Sequence, residues 1–287
     1  MPGAAALHTA WLTSEETTFV VSVPAASGRS AIVELIERIY HAQSLAGSSR
    51  ARTILRERIH ANYAANLSER EAVKVAAKRL NAPTDRPPPS AHSGASRVLE
   101  LSEAPPLPDF ALPEFTTGEF APGTVLDRAA VGRALERLKR ETTRAREKWS
   151  SDRPVSALLL DRDGRFLAGA WNTNAVMRTR HAERNLCDSL RALTPEGKIP
   201  AGATLYVTLK PCRMCAARIW EAAADPAALT VIFLENDPGP LAQGTLLEPR
   251  SPARVRYLGL DHPLFEAATS RLDSVPGPGT STRGPRP

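Results

Sequence analysis

The chain has 287 residues, 42% of them hydrophobic and 24% charged, with three cysteines and a formal net charge of +6. Three cysteines exclude a disulfide-stapled scaffold, no apolar run approaches the roughly 18 residues of a membrane span, and the opening MPGAAALHTAWLTSEE lacks the basic start and apolar core of a secretory signal. A soluble, cytoplasmic protein with reduced thiols is expected, long enough for one ordinary domain and a further unit.

Residues 1–81 carry one strand-like run, TTFVVSV from Thr17 to Val23. Helical patterns follow over Ser30–Ala42, over a segment near 50–64, and over Ser68–Leu80. Ser68 and Glu71 have the spacing of a capping box and place the start of the last helix. His41 and His60 have no cysteine or carboxylate cluster at ligand spacing, so they read as surface or half-buried residues. This piece reads as a smaller, mostly helical N-terminal α+β domain with no assigned role.

Residues 82–122 hold nine prolines and a net charge of −4, and residues 274–287 hold four more prolines. Neither a helix nor a central strand persists at that density, so 82–122 reads as a linker and 274–287 as a disordered tail. Phe110, Phe115 and Phe120 fall five apart within the linker. That spacing of large apolar rings predicts a stretch lying extended on a domain surface and burying them.

Residues 123–273 carry a net charge of +5 and alternate helix and strand. The pattern predicts a long helix over Val125–Trp149 and a strand over Val155–Leu160. A turn at Asp161–Gly164 and an antiparallel return over Arg165–Ala170 follow. A polar loop, Trp171–Arg180, leads into a helix at His181–Leu193. Strands at Ala203–Leu209, Leu229–Leu234 and Ala253–Leu258 come next, with a helix from Cys212 and a last helix at Pro263–Leu272. This order predicts a three-layer α/β domain with a mixed five-stranded sheet covered by helices.

Two short words in this domain carry chemistry: His181-Ala182-Glu183 and Pro211-Cys212-Arg213-Met214-Cys215. Each sits where a loop or strand runs into a helix. Cys212 and Cys215 are i and i+3, so their sulfurs share one side of the helix. His181 supplies a third ligand. One nitrogen and two sulfurs suit Zn²⁺, and three protein ligands leave a fourth position open, the mark of a catalytic site. Helix N-termini carry partial positive charge and favour thiolates, the form that binds metal. Pro211 costs nothing at a helix start. Glu183 is not needed as a ligand, and a carboxylate beside a metal-bound water can take and deliver its proton. A structural zinc site would want a fourth Cys or His. Cys187, six residues past His181, falls on another side of that helix and reads as a small buried residue. The pattern H-x-E…P-C-x-x-C is the signature of zinc-dependent nucleobase deaminases.

The two words and the helix–strand order resemble the cytidine deaminase-like superfamily, and within it the TadA-type tRNA adenosine deaminases, which share H-A-E and P-C-x-M-C-A. The segment from Asp237-Pro238-Gly239-Pro240 through Gly244-Thr245-Leu246-Leu247 is similar to their DP…G-S-L connection. The resemblance spans roughly residues 124–272. It implies that His181, Cys212 and Cys215 bind zinc. Glu183 would deprotonate the bound water, protonate the ring nitrogen and help ammonia leave. It also implies an upstream Asn that holds the base; Asn172 and Asn174 are the candidates, and Asn172 is preferred.

The resemblance tilts the substrate toward nucleic acid, because members acting on free cytidine typically carry a third Cys where this chain has His181. The positive charge of the domain adds to that tilt. Arg178 and Arg180 are candidates to grip phosphates near a flipped base. Trp171 is a candidate to stack on the base, although a core position suits it better. The partners expected are RNA or single-stranded DNA and a second copy of the chain, with no membrane. Cytosine and adenine both present an exocyclic amine beside a ring nitrogen, so the base stays open. Two other classes stay open as well: a deaminase of a free nucleotide, base or pterin-like ring, and an idle deaminase fold serving as a binding module. An intact Glu183 argues against the idle fold.

Overall fold

The computed structural model describes residues 6–48, 50–77, 84–85, 97–101, 120–148, 153–174, 178–248 and 256–259. The chain is a mixed α/β protein built on two sheets. The first begins with a hairpin of β1 (Leu7–Ser14) and β2 (Thr17–Pro24), in which Ser14 stands opposite Thr17. Glu15 and Glu16 alone make the turn. Glu15 adopts φ 55, the left-handed region that two-residue hairpin turns require and that Asn or Gly usually supplies. The missing Asn-Gly signal is why only the second of these strands was expected.

α1 (Ala31–Leu45) starts at Ser30, whose side chain accepts the Val33 N–H at 3.1 Å. Every residue from Ala31 to Tyr40 is buried, charged ones included. The helix packs on β1 and β2, and its Glu37 reaches Thr179 and Arg180 of the C-terminal half. The segment expected as a helix near 50–64 is helical only in α2 (Ala51–Ile54). Its later part extends into β3 (His60–Ala61), which pairs with the open edge of β1.

α3 (Leu67–Ala77) follows, and its cap differs from expectation. The capping box is Asn66 with Glu69: Asn66 Oδ1 accepts the Glu69 N–H at 2.9 Å, and Glu69 Oε2 accepts the Asn66 N–H at 2.8 Å. Ser68 instead binds across the molecule, its N–H and hydroxyl donating to the carboxylate of Glu221 at 3.0 and 2.6 Å.

The proline-rich stretch is not only a linker. β4 (Thr84–Asp85) pairs with β3, and β5 (Arg97–Glu100) pairs in parallel with β2. The sheet order is β4-β3-β1-β2-β5, so both strands are edges. Short edge strands are where a proline-rich segment can join a sheet, since one side needs no N–H donors. Phe120 is buried, its ring edge-on to Phe166 at 6.2 Å, with the Arg137 guanidinium 5.0 Å from its centroid. Phe110 and Phe115 lie outside the described residues.

The second sheet has the order β10-β9-β8-β6-β7. α4 (Arg128–Lys148) precedes it, followed by β6 (Ser156–Leu160) and β7 (Phe166–Trp171). α5 (Ala182–Leu193), β8 (Thr204–Leu209), α6 (Arg213–Ala222), β9 (Thr230–Glu235) and β10 (Arg256–Gly259) complete it. β6 runs antiparallel to β7 and β8, while β8, β9 and β10 are parallel. All five residues of β6 are buried and both α4 and α5 contact it, as a strand covered on both faces requires. The expected helix over Pro263–Leu272 and the tail 274–287 lie outside the described residues. Among the described residues, no helix is long and apolar enough to cross a membrane.

The shifted cap gives a direct check. Asn66→Ala should lower the unfolding free energy by about 1 kcal/mol in urea titration. An unchanged unfolding free energy would remove Asn66 as the cap of α3.

Candidate active site

Two strand-to-helix junctions build the site. β7 ends at Trp171 and its loop returns to His181, the N-cap of α5. β8 ends at Leu209, and Pro211 leads to Cys212, the N-cap of α6. Neither N-cap side chain caps the backbone N–H groups of its own helix. Both turn instead to a shared point. His181 Nδ1 stands 3.6 Å from Cys212 Sγ and 3.5 Å from Cys215 Sγ, and the three atoms all lie within 4.8 Å of one another. The first free N–H of α5, that of Ala182, is taken by Asn172 Oδ1 at 2.8 Å. Asn172 thus caps α5 from the end of β7 and releases His181 from that duty.

The donor set fits a soft divalent metal. Hydrogen bonding with Cys215 and the neighbouring imidazole of His181 pull the Cys212 thiol well below its ordinary range, against the cost of burial. Burial, and then the neighbouring Cys212, push the Cys215 thiol well above its ordinary range. Both sulfurs would serve a bound dication as thiolates, with release of any thiol proton, as metal–thiolate chemistry requires. His181, Cys212 and Cys215 are the residues that would hold it. Cys187 is buried in the core, where burial pushes its thiol up to about 12, and it takes no part in the cluster.

Glu183, on the first turn of α5, stands beside this cluster. Its side chain is 3% exposed and Oε2 is buried with no hydrogen-bond partner. Burial pushes its carboxyl up to about 7, against the opposing pull of His181. A carboxyl in that range both accepts and releases a proton at neutral pH.

The cluster and Glu183 line a cavity of about 500 Å³. Asn172 and Asn174 line it too, but the amide of Asn172 is largely committed: Nδ2 donates to the Arg153 carbonyl at 2.9 Å and Oδ1 holds Ala182. Trp171 packs in the core and does not line the cavity. Arg178 is half-buried and also absent from the wall. Arg180 is turned to Glu37 at 2.7 Å and Asp188 at 3.6 Å. A carboxylate as buried as Glu37, 1% exposed, demands a compensating cation, so the expected phosphate grip is replaced by an internal ion pair.

The cavity has walls that no motif announced. Lys210 and Arg213 flank Pro211-Cys212, and Lys210 pairs with Glu248 at 2.9 Å. Arg153 and Asp237 form a two-bond pair at 2.7 and 3.2 Å. Glu71 and Lys74 come from α3, in the half where no chemistry was legible. They pair at 2.6 Å, and Glu71 Oε2 remains buried without a partner. The N-terminal half therefore supplies part of the site. It also supplies its foundation, because Cys212, Met214 and Cys215 belong to the same apolar cluster as α1 and α3.

Residues 146–256 match the model of the Bd3614-like deaminase family. This domain belongs to the cytidine deaminase-like superfamily. No curated protein matches the chain. Among solved structures, a tRNA:A34 deaminase studied for A-to-I editing at the wobble position is 30% identical, over 44% of this chain and 95% of that one, with a TM-score of 0.36. A guanine deaminase from Nitrosomonas europaea is 18% identical over 59% and 96%, with a TM-score of 0.39. A dCMP deaminase from the cyanophage S-TIM5 is 21% identical over 44% and 98%, with a TM-score of 0.29.

The shared core predicts that residues 123–287 cannot stand alone as a metal-binding unit. Expressed without residues 1–122, this segment should lose cooperative thermal unfolding and retain less than a tenth of the metal bound by the full chain. Equal metal content in the two proteins, by elemental analysis, would show that the N-terminal half is dispensable to the site.

Proposed function

We propose that the protein is a zinc-dependent hydrolytic deaminase of an amino-substituted nucleobase, in the cytosine or adenine class. The observation that carries this reading is the convergence of His181, Cys212 and Cys215 with the buried carboxylate of Glu183, whose Oε2 has no hydrogen-bond partner, in one cavity. Bound there, zinc would supply an acidified water in its open position. Glu183 then has the work of a proton shuttle. It takes a proton from the attacking water, passes it to the ring nitrogen beside the amino carbon, and protonates the departing amine. The exocyclic C–N bond breaks, a C–O bond forms, and ammonia leaves. Asn174 is assigned to hold the base in preference to Asn172, whose amide is spent on Ala182 and Arg153.

The substrate carrier is argued from charge. Arg213 lines the cavity and its Nε donates to the Gln243 carbonyl rather than to a carboxylate, and the surrounding domain is basic, so a phosphate-bearing base fits better than a free one. We place nucleic acid, as RNA or single-stranded DNA, first. A free nucleotide is the second reading, favoured by α3, whose Glu71 and Lys74 wall the cavity on the N-terminal side.

The test is a substrate panel of free bases, nucleotides, pooled tRNA and single-stranded DNA, read by ammonia release and by sequencing. Glu183→Gln should keep its metal and lose at least 10²-fold in rate, within the range for loss of a general acid–base group. Chelation should abolish activity and added Zn²⁺ restore it. Unchanged turnover in Glu183→Gln would remove the catalytic reading.

A further inference from the structure

A second cavity, of about 400 Å³, lies between the two halves and shares no lining residue with the candidate active site. Its C-terminal wall is one face of α5, where Arg184, Asp188 and Arg191 stand at i, i+4 and i+7, together with Arg218 of α6. Its N-terminal wall includes Arg29 and Glu37. Glu183 and His181 open on the other cavity.

The carboxylates of this second cavity are already committed. Glu34 is held by Arg29 and Arg38, and Glu37 accepts from Thr179 and Arg180 at 2.6 and 2.7 Å. Glu69 accepts from the Tyr63 hydroxyl at 2.9 Å and the Asn66 N–H at 2.8 Å. Asp188 alone faces three guanidinium groups: Arg218 at 2.8 Å, Arg184 at 3.5 Å and Arg180 at 3.6 Å. Positive charge is therefore in local excess. Arg191 reports it: burial, and beyond it the cations Arg218, Arg184 and Arg29, hold its guanidinium below the ordinary range despite Asp188.

The donors left over are buried ones. The Arg184 side chain is 8% exposed, and its Nη1 has no hydrogen-bond partner. Arg218 Nε is buried and unpartnered as well. A buried guanidinium donor without an acceptor costs on the order of a few kcal/mol. Planar donor forks converging on a polar cavity are the arrangement that binds tetrahedral oxyanions.

We propose that this cavity is a binding site for a phosphate-class oxyanion, inorganic phosphate or the phosphoryl group of a nucleotide, held by Arg184 and Arg218 with Arg29 at the rim. An anion there neutralises the excess charge and ties the N-terminal half to the two helices that carry the candidate metal ligands. It is separate from the deaminase cavity, so its occupancy does not depend on turnover.

The test uses the full chain in calorimetric titration and thermal unfolding, with inorganic phosphate, pyrophosphate and ATP at constant ionic strength. Saturable 1:1 binding of phosphate and a raised midpoint of unfolding are expected. Arg184→Gln should weaken binding at least tenfold. Arg29→Gln, whose side chain is 46% exposed and whose loss the fold should tolerate, should weaken it severalfold. Glu183→Gln, which alters only the other cavity, should bind phosphate as the wild type does. Tighter binding of ATP than of phosphate and pyrophosphate would assign a nucleotide as the source, and equal or weaker binding would assign the free inorganic ion; both support the site. Absence of saturable phosphate binding, or binding that survives both arginine substitutions, would overturn it.

Discussion

The packing of α3 on the first turns of α6 is the contact on which the rest of the structure depends. α6 begins with Cys212 and Cys215, and Met214 between them is fully buried in the apolar cluster of the N-terminal half. Burial on that side fixes the helix start. The helix start fixes the two sulfurs, and the sulfurs fix the position that His181 must meet. Ser68 binding to Glu221 pins the far end of α6 to the same partner helix. An interior packed this closely transmits small shifts, so the candidate metal ligands are held by the N-terminal half as much as by their own domain.

The interface between the halves is charged where it is not apolar. Glu37 is buried on α1 and is compensated by Thr179 and Arg180 from the loop leading to His181. A buried ion pair of this kind adds little net stability but is costly to break on one side only. It sets the register between α1 and the loop, and so the approach of His181 to the cysteines. The basic residues around the two cavities are divided between two tasks. Arg180, Arg184 and Arg218 serve the interface, while Lys210, Arg213 and Lys74 face the candidate active site.

Much of the candidate metal site was legible because it is local. H-A-E and P-C-x-x-C each specify their geometry through one helix start, and the cluster forms as the spacing implies. The strands of the second sheet were legible for a similar reason, since runs such as LTVIFL announce buried strands by composition alone. What escaped is non-local or chemically atypical. β1 was hidden by a Glu-Glu turn, β4 and β5 by the prolines around them, and the true cap of α3 by a second capping pair two residues away. Glu71 and Lys74 reach the cavity only through the packing of α3 on α6, which no pattern in residues 1–81 encodes. Asn172 was legible as a site residue, but its role as a cap for α5 depends on where β7 ends relative to His181.

His181, Cys212 and Cys215 are assigned as a three-ligand metal site with one position open. X-ray absorption at the zinc edge of the purified full chain tests it most directly. The account predicts one zinc per chain with two sulfur and two nitrogen or oxygen neighbours, falling to one sulfur in Cys215→Ser if metal is retained. A shell of four protein ligands with no position for water, or a chain that binds no zinc when folded, would contradict it.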